Sequence, residues 1–388
     1  MRRNIIALYL IKLSKWFSVV MPIIVLFYEE HGLGLQDVFI LKSIYSIAAV
    51  TLEIPSGYLA DVWGRKKCLL LGCILFFGGY LIYSFASVFL AFVIAEILLG
   101  SGQTLVNGAD SALLYDTTAE YKKEDRYLQY EGKITMIGNF AEAIAGILGG
   151  LLAVHSLRLP FHIQAVIAFI GIPAALALQE VKTKSSLQNP LSEIVRIIRY
   201  SLVTNKALCY NIMYSGVIGA ATLTMAWLVQ PVLMHLETPT SWYGVIWTLL
   251  NLTVGVAALY SAKVEHFFGR RRMNTLILLF IVGGYVVLAY NLTYAALGIL
   301  FVFYVFRGFA TPILKGYINQ MTFSEMRATV LSIRNFVIRL MFAAMSPFVG
   351  WLNDLYSLKT AILFSALAIF LPGSLFLFLQ FRWEKKLS

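Results

Sequence analysis

Twelve apolar runs follow one another along this chain, and most are close to the roughly 20 residues that an α-helix needs to cross a lipid bilayer. Hydrophobic residues make up 59% of the 388 residues and charged residues only 13%, whereas soluble domains usually carry about 25% charged residues. The sequence therefore predicts an all-α polytopic membrane protein with twelve transmembrane helices. The predicted spans are 4–28, 38–60, 68–86, 88–115, 131–154, 160–180, 207–234, 241–262, 274–291, 293–315, 331–353 and 359–381.

The basic residues are divided unevenly between the loops that join these runs. Clusters such as Arg65, Lys66 and Lys67 fall in alternate loops, whereas the loops between them hold only Arg158 and Lys359. Because basic loops stay in the cytoplasm, this asymmetry predicts that both termini are cytoplasmic. We expect a monomer in a bacterial cytoplasmic (inner) membrane, and the net charge of +11 indicates membrane orientation rather than nucleic-acid binding.

Residue types that carry enzyme chemistry are few and scattered. The five histidines form no Ser-His-Asp or metal-spaced cluster with other residues. Cys68, Cys73 and Cys209 lie in or beside apolar runs, which predicts neither a disulfide framework nor a metal site. We therefore expect no enzyme activity, no cofactor and no metal. The start, Met1-Arg2-Arg3, leads into an apolar run without a small-residue cleavage site, so we interpret it as a retained helix.

A short polar loop, 57–67, separates the second apolar run from the third. Gly57 lets backbones approach closely, Gly64 permits turn dihedrals that other residues avoid, and Asp61 lies within helical pairing reach of Arg65. The loop resembles the signature loop between helices two and three of the major facilitator superfamily, which it matches at Gly57, Leu59, Ala60, Asp61, Gly64, Arg65 and Lys66. The resemblance implies two pseudo-symmetric six-helix bundles, alternating access and secondary transport.

The longest polar connection predicts a boundary between two halves: an N-terminal bundle over 1–180, a cytoplasmic linker over 181–206 and a C-terminal bundle over 207–388. Within the linker, an amphipathic piece with Arg196 and Arg199 is typical of a helix at the membrane surface. The halves echo each other, as repeated transporter halves do. Gly64-Arg65-Lys66 in the first half corresponds to Gly269-Arg270-Arg271 in the second. His266 occupies the position that corresponds to Asp61.

Two further segments bear on the direction of transport. Helix four of the family often carries Arg-x-x-x-Gly-x-Gly, which is linked with proton coupling; Gly100 and Gly102 match here, but Glu96 occupies the arginine position. The segment 145–150 in helix five resembles the antiporter motif Gly-Pro-x-x-Gly-Gly, with Gly146 in place of proline. The resemblance thus favours the drug/proton antiporter branch and export by antiport. Uptake by symport, or a membrane sensor that transports nothing, are the alternatives.

Charges inside the apolar runs are costly in a bilayer and usually face a cavity or a partner. Lys12, Lys15, Arg307 and Arg339 lie about 12–16 Å from the predicted cytoplasmic ends of their helices, so they share one layer. That basic layer predicts a small organic substrate that is anionic or amphiphilic. Lys42 lies only about 6 Å from the outer end of its helix, and we expect it to snorkel to the headgroups.

The acids within the spans are candidates for proton coupling. Glu142 falls in the basic layer, where the sequence leaves open whether it pairs with a cation or carries a proton. Glu96 and Glu53 are the other candidates. Toward the cytoplasmic end of helix four, Asp110 and Asp116 are both in reach of Arg65, and Asp116 is the preferred partner.

The family's cavity is lined by helices one, four, seven and ten, so the resemblance implies that substrate-binding residues lie there. The candidates are Lys12, Lys15, Trp16, Gln103, Asn107, Tyr214, Trp227 and Arg307. A second group is predicted to form a conformational latch on the cytoplasmic side: Gly57, Asp61, Gly64, Arg65 and Asp116. The predicted partners are a small-molecule substrate, protons and the lipid bilayer.

Overall fold

The computed structural model describes residues 1–123, 126–181, 190–323 and 326–387, and no strand occurs among them. Fourteen α-helices are present in this part of the chain. They are α1 (Arg2–Trp16), α2 (Ile24–Glu30), α3 (Leu35–Trp63), α4 (Arg65–Phe85), α5 (Phe89–Glu120), α6 (Tyr127–Ala153), α7 (Leu159–Leu176), α8 (Pro190–Arg199), α9 (Lys206–His235), α10 (Thr240–Phe268), α11 (Arg270–Tyr290), α12 (Ala295–Gln320), α13 (Arg327–Leu355) and α14 (Leu358–Leu387).

Among the described residues, eleven helices are long and apolar enough to cross a membrane: α3 to α7 and α9 to α14. The first span is different. The sequence predicted one continuous helix over 4–28, and this is wrong because the structure has two helices there. The chain leaves α1 after Trp16 and re-enters helix as α2 at Ile24. Pro22 lies in this break, and proline removes a backbone N–H and clashes with the preceding turn. The predicted all-α membrane fold is confirmed, with its first span in two pieces.

The chain divides into two compact units. Unit 1 consists of Met1–Leu33, Ile44–Gln188 and Pro239–Thr248, and unit 2 consists of Gly34–Ser43, Asn189–Thr238 and Leu249–Ser388. The division differs from the halves proposed from sequence, because α3 and α10 each contribute residues to both units.

In unit 1, α4 packs against α5 and α7, and α1 packs against α7 and α6. Small residues make the α4–α5 contact close. A Cβ added to Gly102 would lie 2.8 Å from the Gly72 carbonyl oxygen. Helices in a bilayer gain little from hydrophobicity, so van der Waals contact at such small residues is what holds them together.

In unit 2, α9 packs against α13 and α14, and α11 packs against α14. Two fully buried tyrosines connect α9 and α11. Tyr285 donates to the Ala221 carbonyl at 2.6 Å, and Tyr214 donates to the Asn274 carbonyl at 2.6 Å. Each hydroxyl thereby satisfies its donor inside the apolar bundle, as a buried polar group requires.

The predicted amphipathic piece of the linker is helix α8, which continues through a π-helical turn, Tyr200–Thr204, into α9. Ile197 of α8 is buried in a cluster with Leu208 of α9 and Val330 of α13. The helix therefore packs on unit 2 through its apolar side. Residues 182–189 of the predicted linker lie outside the described part of the chain.

Candidate functional site

Two lysines of α1 face polar residues of α5 within unit 1. The Lys12 ammonium lies 3.2 Å from an Asp110 carboxylate oxygen, and each side chain is 13% exposed. Lys15 is buried and donates to the Asn107 amide oxygen. The partners are three residues apart on each helix, so both pairs form on facing sides. The Trp16 ring centroid lies 5.2 Å from Lys12 Nζ, which is a cation–π distance.

This cluster combines an ion pair, an amide and an aromatic ring at membrane depth, because Lys12 is about 15 Å from the start of α1. Gln103 lies one helical turn from Asn107 on the same stripe of α5 and is half-buried. Asn107 is exposed, so its amide remains reachable beside Lys15. The suggestion that Asp110 meets Arg65 is wrong, since its carboxylate pairs with Lys12.

The Glu96 carboxyl lies in an aromatic enclosure at the other end of α5. It is 1% exposed, and one oxygen accepts hydrogen bonds from the hydroxyls of Tyr28 at 2.8 Å and Tyr83 at 2.5 Å. Phe92 and Phe161 stack against the Tyr83 ring at centroid distances of 5.4 and 5.3 Å. Phenolic donors can hold the carboxylate, and the surrounding rings keep bulk water away from it.

The other candidate acids and Arg339 occupy half-buried positions. Glu53 lies on α3, Glu142 on α6 and Arg339 on α13. The glycines that follow Glu142 explain the helix-five motif, because they permit a close helix crossing inside unit 1. A Cβ on Gly150 would lie 2.8 Å from the Gly244 nitrogen of α10.

In unit 2, Arg307 lies over an aromatic ring. Its guanidinium carbon is 5.0 Å from the ring centroid of Tyr304, which is fully buried. The structure records no carboxylate within ion-pair distance of Arg307 among the residues it describes. Arg307 therefore differs from Lys12, whose charge is balanced by Asp110.

Two residues of unit 2 have surroundings that the sequence did not indicate. Tyr214, a candidate substrate residue, has a ring that is 0% exposed, and its hydroxyl donates to the Asn274 carbonyl. Lys42 was expected to snorkel, but it is buried, and its Nζ lies 4.8 Å from the Trp227 ring centroid. Trp227 is half-buried and covers the lysine. A cation on an aromatic face replaces part of its lost hydration, which explains how Lys42 remains inside.

The signature loop is arranged around Gly64 and Arg65 in unit 1. Gly64 has φ +100° and ψ 143°, a region that is essentially restricted to glycine. The chain thereby turns directly from α3 into α4. Arg65 then pairs with Asp116, the partner preferred from the sequence, and also donates to the Ala112 carbonyl. The structure does not describe the surroundings of Gly57 or the side chain of Asp61, so the role of these two residues in the latch stays a prediction.

A carboxylate distant in sequence caps the start of α4. The two Glu180 oxygens accept the backbone N–H groups of Arg65 at 2.9 Å and Lys66 at 3.0 Å. Asn4 fixes the approach of this segment, since its side chain bonds to both the N–H and the carbonyl of Gln179. An anion at a helix N-terminus satisfies unpaired donors and complements the helix dipole.

Among the described residues, no group of three His, Cys, Asp or Glu side chains is arranged to hold a metal ion. The family model described as Major Facilitator Superfamily matches residues 15–344. The chain belongs to the major facilitator superfamily. It is therefore an integral membrane protein of a family of transporters rather than of enzymes.

Individual relatives of this superfamily member are distant. An uncharacterized MFS-type transporter of Methanocaldococcus jannaschii is 22% identical over 179 residues, which cover 45% of each chain. The quinolone resistance protein NorA of Staphylococcus aureus is 21% identical over 209 residues, or 53% of each chain. The chain thus matches about half the length of these curated relatives.

Solved structures of other superfamily members show the same fold over nearly the whole chain. A variant of the nucleoside transporter NupG gives a TM-score of 0.83 at 12% identity, covering 97% of this chain and 98% of NupG. An inward-facing bacterial homolog of the human lysosomal transporter Spinster gives 0.81 at 11% identity, covering 98% and 97%. A D-xylose–proton symporter gives 0.72 at 14%, covering 96% of each chain.

Several residues of this transporter were missed by sequence reasoning. Glu180 and Asn4 act through the backbone of residues far along the chain, and no local pattern marks such contacts. Sequence reasoning also passed over Arg334, which lies inside α13 and is only 5% exposed. A usable signal was available there, because Val330, Arg334 and Val337 share the i, i+4, i+7 spacing of one helical face.

Proposed function

We propose that this transporter exports a small organic molecule, anionic or amphiphilic, in exchange for protons. The observation that carries the proposal is the α1–α5 cluster, in which Lys12 and Lys15 meet Asp110 and Asn107 beside Trp16. Ionisable residues in membrane spans are rare and typically belong to substrate or ion pathways. The cluster offers charge, hydrogen bonds and an aromatic surface within one helical turn.

The substrate-binding residues that we propose follow from that arrangement. Lys12, Lys15, Trp16, Gln103 and Asn107 contact the substrate on unit 1. On unit 2 we propose Trp227 and Arg307, because both are half-buried and lie in cation–π contacts. Tyr214 is left out, since its hydroxyl is already used within the core.

Proton coupling is assigned in this proposal to Glu142, Glu96 and Glu53. Glu96 has support in its surroundings, since two phenols bond to its carboxyl in an enclosure of aromatic rings. Loss or gain of a proton there changes the charge of a fully buried group, and such a change is costly enough to alter the packing around it. Glu142 and Glu53 are half-buried and nearer to water.

Export is preferred over uptake for two reasons. The segment 145–150 resembles the antiporter motif, and the relative NorA carries quinolone resistance in its name. Uptake by symport is the alternative, and the fold shared with a D-xylose–proton symporter is compatible with it. A membrane sensor is the third possibility.

Conformational switching is part of the same proposal. We propose that Gly57, Asp61, Gly64, Arg65 and Asp116 form a cytoplasmic latch whose release accompanies transport by two six-helix halves, 1–180 and 207–388, joined by the linker 181–206. The Arg65–Asp116 ion pair and the cap from Glu180 are the contacts that support it. We further propose a monomer in a bacterial cytoplasmic membrane with both termini inside.

The test is substrate-dependent proton movement in proteoliposomes. Candidate compounds are first ranked by thermal stabilisation of the purified protein and then by counterflow, and proton flux is read with a trapped pH-sensitive dye. We expect binding compounds to drive proton movement opposite to their own. Lys15→Gln should reduce counterflow, whereas the exposed Arg272→Gln should leave it unchanged.

Three results would revise the proposal. Proton and substrate movement in the same direction would replace export with symport. Counterflow without any proton movement would remove the coupling. Binding without counterflow under either pH gradient would favour the sensor.

A further inference from the structure

Arg334 is a cation inside the apolar face of α13. Val330, Ile333 and Val337 surround it on that face and are 0%, 4% and 6% exposed, while Arg334 itself is 5% exposed. These residues belong to the hydrophobic cluster that α13 shares with α8 and α9. Burial of a cation in such surroundings is costly unless an anion or several hydrogen bonds compensate for it.

The protein partners of Arg334 are few and neutral. Nε donates to Ser215 Oγ at 2.6 Å, and Nη1 makes a long contact of 3.4 Å with Asn335 Oδ1. Among the described residues, no carboxylate lies within ion-pair distance of Arg334. A guanidinium has five N–H donors, so these two contacts leave most of its donors without a protein acceptor among the described residues.

A second cation reinforces the positive charge. Lys315 of α12 is exposed and lies within the electrostatic influence of Arg334, and the structure records no carboxylate partner for it either among the described residues. Ser215, Lys315 and Arg334 lie about 13, 8 and 10 Å from the predicted cytoplasmic ends of α9, α12 and α13. Their depths thus fall within about 6 Å of one another, and Arg307 lies about two turns from Lys315 along α12.

We propose that Arg334, Lys315 and Ser215 form a binding subsite in unit 2 for the oxyanion group of an organic anion, a carboxylate or a phosphate. The planar guanidinium presents paired N–H groups that match two oxygens of such a group. Ser215 accepts a hydrogen bond from Arg334 Nε and so fixes the plane of the guanidinium. Lys315 supplies a second positive charge. This inference deepens the proposed function, on which it rests for the idea that the ligand is a substrate.

The ligand chemistry follows from a contrast between the units. In unit 1, the charge of Lys12 is balanced by the carboxylate of Asp110. Arg334 and Lys315 have no such balance among the described residues. A negatively charged group is therefore what this part of unit 2 selects, and a neutral or cationic group gains nothing from it.

Binding to the purified protein in detergent tests the subsite without requiring transport. The probes are naphthalene-2-carboxylate, 2-naphthyl phosphate and the neutral naphthalene-2-carboxamide, which share one ring system. We expect the two anions to raise the apparent Tm and the amide to have no effect. Arg334→Met should weaken anion affinity about tenfold or more, because a charge-assisted hydrogen bond is lost. Arg334→Lys should restore part of it.

Stability separates a ligand-binding role from a packing role. Replacing a buried unbalanced cation by an apolar side chain of similar length is often neutral or stabilising. We therefore expect Arg334→Met to keep or raise the Tm of the protein without ligand. Lys315→Gln should weaken anion binding about threefold while the fold is retained, and Arg272→Gln at the exposed start of α11 should change neither quantity.

Two results would overturn the subsite: binding of neither anion to the wild-type protein at millimolar concentration, or unchanged anion affinity in both Arg334→Met and Lys315→Gln. Nanodiscs made with and without phosphatidylglycerol distinguish the source of the anion. Competition by this lipid would assign the subsite to a headgroup and overturn its assignment to a substrate. Anion binding that depends on Arg334, in a protein that shows no counterflow, would support the subsite while contradicting the proposed transport.

Discussion

The loops that begin α4 and α11 have related sequences but different chemistry. Both start with a glycine at positive φ, Gly64 at +100° and Gly269 at +74°, followed by an arginine. In unit 1, Arg65 pairs with the carboxylate of Asp116. In unit 2, Arg270 donates to the amide of Asn211 at 3.0 Å and lies 4.4 Å from the ring centroid of Tyr317.

Carboxylates lie near both helix starts. The N-cap is a glycine in each case, and Glu180 accepts the first backbone N–H groups of α4. The carboxylate near the second loop, Glu265, accepts a hydrogen bond from the Tyr317 hydroxyl at 2.8 Å. The described contacts of Arg65 thus include an ion pair with a carboxylate, whereas those of Arg270 include an amide and an aromatic ring.

The largest difference is expected when each arginine is removed. Arg65→Ala leaves Asp116, which is 6% exposed, without its cation, and an uncompensated buried charge costs about 3–5 kcal/mol. Arg270→Ala removes the hydrogen bond to the Asn211 amide, and loss of such a hydrogen bond costs about 1–2 kcal/mol. Thermal unfolding in detergent measures the loss of Tm for each variant. Equal losses of Tm would show that the Arg65–Asp116 ion pair contributes no more to stability than the contacts of Arg270.

The two glycines should also respond unequally. Each alanine substitution places a side chain in a region that glycine alone adopts easily, at a cost of about 1–3 kcal/mol. At Gly64 the added Cβ would also lie 2.8 Å from a Glu180 oxygen, whereas at Gly269 nothing lies within 4 Å. We expect Gly64→Ala to lower the Tm more than Gly269→Ala. The reverse order would show that capping of α4 by Glu180 does not require a residue without a side chain at position 64.

Asp61→Asn tests whether the first loop acts as a latch. An acid near a helix N-terminus contributes about 1 kcal/mol, so its neutralisation should slow transport about fivefold and shift cysteine accessibility toward the inward-open state. The matched substitution in the second loop, His266→Asn, should have no such effect, since that position carries no acid. Full transport with unchanged accessibility in Asp61→Asn would argue against a latch.

The smallest effect is expected for the cap itself. Glu180 is exposed, so Glu180→Gln keeps one acceptor and loses only the charge on the helix dipole, at about 0.5 kcal/mol. Raising the salt concentration should reduce the difference between Glu180→Gln and the wild type, because exposed charges are screened. A Tm difference that does not respond to salt would indicate that the side-chain amide of Glu180→Gln caps α4 poorly because of its geometry and not because its charge is missing.

Sequence alone determined what depends on composition and local pattern. The apolar runs predicted the membrane helices because burying backbone groups in lipid leaves helices as the simplest solution. The signature loop predicted the family and the turn at Gly64, since that turn is decided by the dihedral freedom of one residue. The asymmetry of basic loops predicted an orientation, which stays a prediction.

Only the tertiary structure decided which polar groups meet. Glu180 reaches Arg65 across 115 positions, and Arg334 reaches Ser215 across 119. The same holds for Lys42 on Trp227, and for Tyr214, whose hydroxyl is used by a carbonyl of a neighbouring helix. A helix fixes which residues share a face, but rotation and packing against other helices decide whether that face meets lipid, an apolar core or a polar partner.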